Sequence, residues 1–382
     1  MSRLFLLEPE VPGPEWFPWS GVRPIAELRA GAWRIRERWE RALGVAAGGI
    51  IGVHADRFVD VDAPPVVTGA VAGAFLAASW FAPAAGPIAL GPGVVRLTHA
   101  GETVACIAGP DGAPRLASQG ASQEIAGVRL GGAHDLLRAL ELLLGADCDE
   151  AVGRVELPGG TIVIGPAERI VSQGAFIEPG VVFDVRNGAV VLEAGAEIRS
   201  GTRLEGPCWV GTGARIVGGF IRASVVGPRC VVRGEVSTSV FLGYANKAHD
   251  GFVGHSIVGH WANLGAGTTT SNLKNTYGPI RLDAGEVRID TGRTFLGSLV
   301  GDHAKTAIGT MLPTGTIVGA GANVFGAAVV PKYVPPFAWG CEGERVSEEG
   351  FLRIAARVLP RREIELTSER AASLQAMYRR LA

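Results

Sequence analysis

Residues 192–216 read LEAGAEIRSGTRLEGPCWVGTGARI. Leu192, Ile198, Leu204, Val210 and Ile216 fall six residues apart without interruption. That interval is neither the 3.6 of an amphipathic helix nor the two of a half-buried strand. A unit this short cannot bury its apolar residue alone and gains a core only by stacking on copies of itself. Three hexads make one coil of three short strands, the aliphatic residue of each turned inward onto its equivalents above and below. A β-sandwich would alternate every second residue and turn back through hairpins. The stretch therefore predicts a parallel β-helix.

The same rhythm returns at Val300, Thr306, Leu312, Val318, Val324 and Val330, of which only Thr306 is not apolar, and in the pairs Val226/Val232 and Val258/Leu264. Glycine often follows, as at Gly211, Gly227, Gly259, Gly265, Gly301 and Gly319, where the chain must turn a corner. The pattern assigns residues 156–340 to the β-helix. Its long break, residues 271–295, is too polar to be a coil and is expected as an extruded loop, a place where function is often carried. Residues 341–382 read as a helical tail: 347–359 and 361–381 are helical, separated by Pro360. Leu366, Leu374, Met377, Tyr378 and Leu381 form an apolar stripe suited to capping the end of the solenoid. Residues 1–155 read as a mixed α/β region, with strands at 4–7, 49–53 and 66–67. Helices are expected at 25–43, where Ile25, Leu28, Ala32, Ile35, Trp39 and Leu43 recur before Gly44, and at 133–144.

Composition bounds the function. The net charge of −1 gives no electrostatic support for nucleic acid. Five scattered cysteines fit neither a disulfide framework nor a zinc site. The longest apolar stretch, residues 71–85, contains Pro83 and is short for a membrane span. The opening MSRLFLLEPEVPGPEW lacks the pattern of a secretory signal. A cytoplasmic protein with no bound metal is expected.

The chemistry-bearing stretch is residues 243–275, GYANKAHDGFVGHSIVGHWANLGAGTTTSNLKN. A histidine with a pKa near ambient is suited to taking the proton from an ammonium so that the amine can attack a thioester. His249 is the candidate; His255 and His260 fall at expected turns and compete with it. Their uneven spacing argues against a three-histidine metal site. Lys247-Ala248-His249, Gly254, Asn263-Leu264-Gly265-Ala266-Gly267-Thr268 and Asn272 resemble the acetyltransferase half of the bifunctional glucosamine-1-phosphate N-acetyltransferase/uridyltransferase (GlmU) family. The segment RPIAELRAGAWRIRERWE resembles a shorter GlmU-like variant.

The resemblance implies a left-handed β-helix, a homotrimer, acetyl-CoA as co-substrate and an amino-sugar phosphate or nucleotide sugar as acceptor. It makes His249 the general base. It puts Lys247, Asn263, Asn272 and Lys274 at the substrate, where Arg233 is a further candidate, and Ala266, Ser298 and Ala320 along the coenzyme groove. Two positions depart from the family. The stretch Val236-Ser237-Thr238-Ser239-Val240 lacks the lysines that hold the sugar phosphate, leaving Arg229 or Arg233 to substitute, and Phe252 stands for a tyrosine. The first 155 residues read as a truncated, degenerate nucleotidyltransferase-like domain. No Gly-x-Gly phosphate loop is present, Arg23-Pro24 and Arg29 are its only remnants, and Asp56 is the weak candidate for Mg²⁺, which matters only if that domain is active. The competing readings are a working nucleotidyltransferase or bifunctional enzyme, and a non-catalytic nucleotide-sugar-binding scaffold.

Overall fold

The computed structural model describes residues 3–9, 13–52, 63–327, 329–341 and 343–382. The hexad rhythm is realised as a parallel β-solenoid. Leu192 pairs with Val210, Ile198 with Ile216 and Leu204 with Ile221, one coil apart on three successive faces. Val300 likewise pairs with Val318, and Thr306 with Val324. The inward column Leu192, Val210, Val226, Phe241, Val258, Val300, Val318 and Val334 belongs to one apolar interior cluster. Gly227 shows why small residues mark the turns: a Cβ there would sit 2.3 Å from the carbonyl oxygen of Leu242 in the next coil.

The three faces differ in what covers them. The first is a nine-stranded sheet running from Ile170–Ser172 to Tyr333–Val334. Its strands are apolar on both sides. The outward residues Trp209, Val225, Val240, Leu242, Ile257, Leu299 and Ile317 share one cluster with Trp33, Leu136, Leu140 and Leu144 of the N-terminal region. The first corner follows this face, where Arg229, Tyr244, Trp261, His303 and Phe337 all have positive φ. The second face carries the outward column Asn246, Asn263, Lys305 and Asn323. The second corner contains His249. The third face includes Phe252–Gly254, and the third corner includes Ala223, Thr238 and His255.

The N-terminal region is built on a seven-stranded sheet. From the middle of the sheet to one edge, Phe75–Ala78, Leu4–Leu7, Ala47–Ile51 and Val66–Val67 run parallel, as the α/β reading expects. Helix α1 is shorter than the periodicity of residues 25–43 predicts, spanning Ile35–Leu43 and ending at left-handed Gly44. Tertiary contacts claim the preceding residues. The Glu8 carboxylate accepts the N–H groups of Ile25 and Ala26, and Arg29–Ala30 pairs with Trp33–Arg34 through a turn at Gly31. Helix α2, Asp135–Asp149, lies over the first face, with Cys148 Sγ 3.8 Å from the Cys208 carbonyl. Residues 271–295 leave the solenoid as expected and contain a hairpin, Arg281–Ala284 with Val287–Asp290.

The tail forms two helices, α3 (Glu348–Val358) and α4 (Ser368–Leu381), the second starting later than read because Leu359–Arg362 is a 3-10 turn. It does not simply cap the last coil. The positive-φ residues of the first corner throw aromatic side chains outward, and the tail runs back along that strip. Phe351 and Met377 pack on Phe337, Ala355 and Leu359 on Trp261, and Arg229 pairs with Glu363 at 2.7 Å. Among the described residues no helix is long and apolar enough to cross a membrane.

Candidate functional site

His249 is exposed at the second corner, and what fixes it is the residue two before it. Lys247 lies six after Phe241 and occupies the inward column between Val232 and Leu264. Its side chain is 1% exposed. The ammonium bends toward the corner and donates to the carbonyls of His249, at 2.5 Å, and Arg233, at 3.2 Å. Burial pulls its pKa from 10.5 down to about 8. Lys247 therefore does not face substrate as the sequence reading expected. The six-residue spacing itself carried that signal, since it puts this position inside.

Arg233 stands beside the same corner, its Nε 3.0 Å from Asp250 Oδ1 and its Nη1 3.1 Å from the Val217 carbonyl. Gly267 N–H donates to the Asp250 carbonyl at 3.0 Å, so the Gly265-Ala266-Gly267 turn stacks one coil beyond His249. The structure thus brings His249, Arg233 and Ala266 together at one corner.

The remaining expected residues separate. Asn272 Nδ2 donates to His255 Nδ1 at 2.8 Å at the third corner, and His255 stacks on Phe295. Burial pushes the His255 pKa down to about 4, which makes it a poor proton acceptor near neutrality. Asn272 and Lys274 line an open groove of about 830 Å³ with Thr269, Met311 and Lys332. Lys274 bonds the carbonyl of Pro279 within the insertion. Asn263 lies on the second face, its Oδ1 2.8 Å from Asn246 Nδ2, in a different cleft beside the tail.

The residues expected along the coenzyme groove separate within one chain. Ala266 is at the second corner, Ser298 just past the third, and Ala320 at the first, so no single face of one protomer presents all three. Ser298 and Ala320 are fully buried. Ser298 N–H donates to Ser256 Oγ, which extends a ladder in which Ser256 N–H donates to Ser239 and Ser239 N–H to Ser224. Ala320 accepts from Phe337 N–H under the tail. Their small size serves coil packing. Nor do His249, His255 and His260 converge, since each sits at a different corner.

Arg229 is tied to Glu363 and to the carbonyl of Arg362, and so braces the tail. The sequence reading overlooked Arg222. It lies in register with Ser237 on the third face, Nε 2.9 Å from Ser237 Oγ, and continues through Gly254 toward Phe252 and Asn272. Pairing across coils, not spacing along the chain, places this cation where lysines were missing.

The N-terminal region has a cleft of about 790 Å³ lined by Leu7, Glu8, Ile51, Val67, Thr68 and Trp80, at the carboxyl ends of its parallel strands. Arg23 does not face it. Its guanidinium pairs with Asp302 at 2.6 Å, both side chains 5% exposed, and Trp19 Nε1 and His260 N–H complete the carboxylate's bonds. Arg29 donates to the carbonyls of Leu242 and Ala32. Both arginines are struts between the N-terminal region and the solenoid. Asp56 lies outside the described residues.

No family model matches the chain. A bifunctional sugar-1-phosphate nucleotidylyltransferase/acetyltransferase of Sulfurisphaera tokodaii is 29% identical over 207 residues, covering 49% of this chain and 50% of the relative. A bifunctional protein GlmU of Jannaschia sp. is 33% identical over 171 residues, 43% and 33% of the two chains. Another from Anaplasma marginale is 28% identical over 180 residues, 46% and 37%. The resemblance to GlmU-like proteins is thus matched by relatives that carry that name, and by one named for both nucleotidylyltransferase and acetyltransferase activities. The chain spans half the length, or less, of these curated relatives.

Proposed function

We propose that this relative of sugar-1-phosphate nucleotidylyltransferase/acetyltransferases is an acyl-CoA-dependent N-acyltransferase, with acetyl-CoA the expected donor and an amino-sugar phosphate or nucleotide amino sugar the acceptor. The observation that carries the reading is the corner at His249. An exposed imidazole is held at the backbone by a buried lysine, beside Arg233, at the entrance to a face bearing Arg222, Ser237 and Phe252. In this mechanism His249 takes the ammonium proton, and the neutral amine attacks the thioester carbonyl. The C–N bond forms to give a tetrahedral oxyanion, whose collapse breaks the C–S bond; the attacking nitrogen gives up its second proton, and the thiolate leaves protonated as the thiol. The Ala266 N–H, one coil away, is the candidate oxyanion donor. Arg222 and Arg233 are the candidate phosphate partners. The left-handed sense of the coil, the division at residues 155 and 340, and a homotrimer that completes the site belong to the same proposal.

The test is thiol release from acetyl-CoA with amino-sugar phosphates across a pH series. His249→Ala should lower kcat by roughly 10²–10⁴-fold while coenzyme A binding holds. His255→Ala and His260→Ala, at other corners, serve as comparisons. Unchanged turnover in His249→Ala would remove the base assignment; absence of coenzyme A binding would leave the scaffold reading.

A second reading concerns the N-terminal cleft, whose place at the carboxyl ends of parallel strands suits a nucleotide sugar. Its described lining offers one carboxylate, Glu8, pushed by burial to about 7 and already accepting two backbone N–H groups. That arrangement does not fit a Mg²⁺ site, and no arginine or lysine appears among the described lining residues. Binding without turnover is the reading this cleft supports. Mg²⁺-dependent pyrophosphate release from UTP and a hexosamine phosphate would overturn it.

A further inference from the structure

The cleft between the second face and the tail has about 230 Å³ of open space and a lining that is cationic without a carboxylate. Lys305, Arg361 and Arg362 supply three positive charges; Asn246 and Asn263 supply amides; Tyr244 and Trp261, stacked at 4.4 Å, form the apolar wall. Three stretches of chain build it: 244–263 and Lys305 of the solenoid, and 358–362 of the tail.

These charges are not neutralised by the protein. Lys305 Nζ donates to the carbonyl of His303 at 2.8 Å, which leaves two ammonium protons directed elsewhere. Arg362 bonds the Arg229 carbonyl at 3.0 Å and Asn246 Oδ1 at 3.4 Å. Both acceptors are uncharged. Among the described residues Arg361 has no carboxylate partner. Arg215 adds a further repulsive charge toward Arg362. Burial holds Lys305 near 8, against an ordinary 10.5. Elsewhere on this chain exposed arginines find carboxylates, as Arg199 does with Glu178 and Arg379 with Glu348. A cluster that forgoes such partners and is partly desolvated gains most from an anion with several acceptor oxygens.

We infer that this cleft is a binding site for a phosphate or diphosphate group, separate from the corner that carries His249. The oxygens meet Lys305 at the floor and the two guanidinium groups at the rim, with the Asn246–Asn263 amide pair between them. The tail is thereby part of a ligand site, and occupancy would hold it to the solenoid by drawing Arg361 and Arg362 toward Lys305.

Calorimetry on the full chain tests this with inorganic phosphate, pyrophosphate and adenosine 3′,5′-bisphosphate as separate probes, in chloride at matched ionic strength. Arg361→Gln and Lys305→Gln are each expected to weaken binding by about tenfold, the worth of one charge-assisted contact, and Arg199→Gln, which removes a charge elsewhere on the solenoid, to leave it unchanged. Binding of the two inorganic probes marks a free-anion site; binding of the bisphosphate alone marks a nucleotide-borne phosphate. Arg361 is exposed, so its variant should fold even if Lys305→Gln does not. No heat from any probe at millimolar concentration, or equal affinity in wild type and Arg361→Gln, would overturn the assignment. Since the readout is binding, failure here and failure of the acyltransferase reading are distinguishable.

Discussion

Replacing Lys247 by methionine should make the protein more stable and less active. The lysine pKa falls from 10.5 to about 8, so holding the charged form in the interior at neutral pH costs about 3 kcal/mol. Its two hydrogen bonds to the carbonyls of Arg233 and His249 offset this by about 1 kcal/mol each. Methionine, apolar and similar in length, fills the column between Val232 and Leu264 and removes both terms, for a net gain of about 1 kcal/mol. Between pH 8 and 10.5 the unfolded chain keeps a proton that the folded chain has released, so wild-type stability rises with pH across that window. The variant loses Lys247's share of the rise and keeps that of Lys305. Urea unfolding at pH 7 and pH 10 measures both quantities. Freed from its tether, the His249 backbone should cost turnover more than coenzyme A affinity. A variant less stable than wild type by more than about 1 kcal/mol, with an unaltered pH slope, would refute the picture of a charged lysine inside the solenoid.

Asp302→Ala removes the carboxylate that joins buried Arg23, Trp19 and the His260 N–H, and should cost about 3–5 kcal/mol; limited proteolysis is expected to release the N-terminal region before the solenoid. Burial lowers the pKa of His255 to about 4 and those of His260 and His303 well below 6.5. As pH falls from 6.5 toward 4 the unfolded chain takes up protons the folded chain refuses, so stability drops. His255 alone accounts for up to about 3 kcal/mol before solvent screening reduces it, and His255→Gln should shift the acid midpoint downward. An unmoved midpoint would reject His255's part. Light scattering should show a trimer at micromolar concentration; a stable monomer would argue against a site shared between protomers.

The solenoid was legible because its period is set by local geometry. Leu192 to Ile216 needed only counting, and the same count, carried to Lys247, places that residue inside. The N-terminal helix was overread because Ile25 and Leu28 obey the helical period while the distant Glu8 and Asp147 take the backbone N–H groups of Ile25, Ala26 and Ala32. His249 and Arg233 come together because both lie at one corner. That Ala266, Ser298 and Ala320 lie at different corners was not legible, because small residues look alike wherever a coil turns, and spacing does not say which corner is turning. Arg222 and the Lys305–Arg361–Arg362 cleft depend on pairings across coils and on the path of the tail, neither of which a linear reading supplies.

The tail's course along the first corner changes how the molecule comes apart. A stack of coils in contact only with nearest neighbours can fray from its end, each coil leaving at the cost of a single interface. Here Phe351 and Met377 grip the coil of Phe337, Leu359 grips that of Trp261, and Glu363 reaches Arg229. A pull on the carboxyl terminus therefore loads several coils in parallel and must detach the tail before any strand can peel. The tail works as a lashing: its contribution appears less in equilibrium stability than in the force, or the waiting time, needed to start the first coil unwinding.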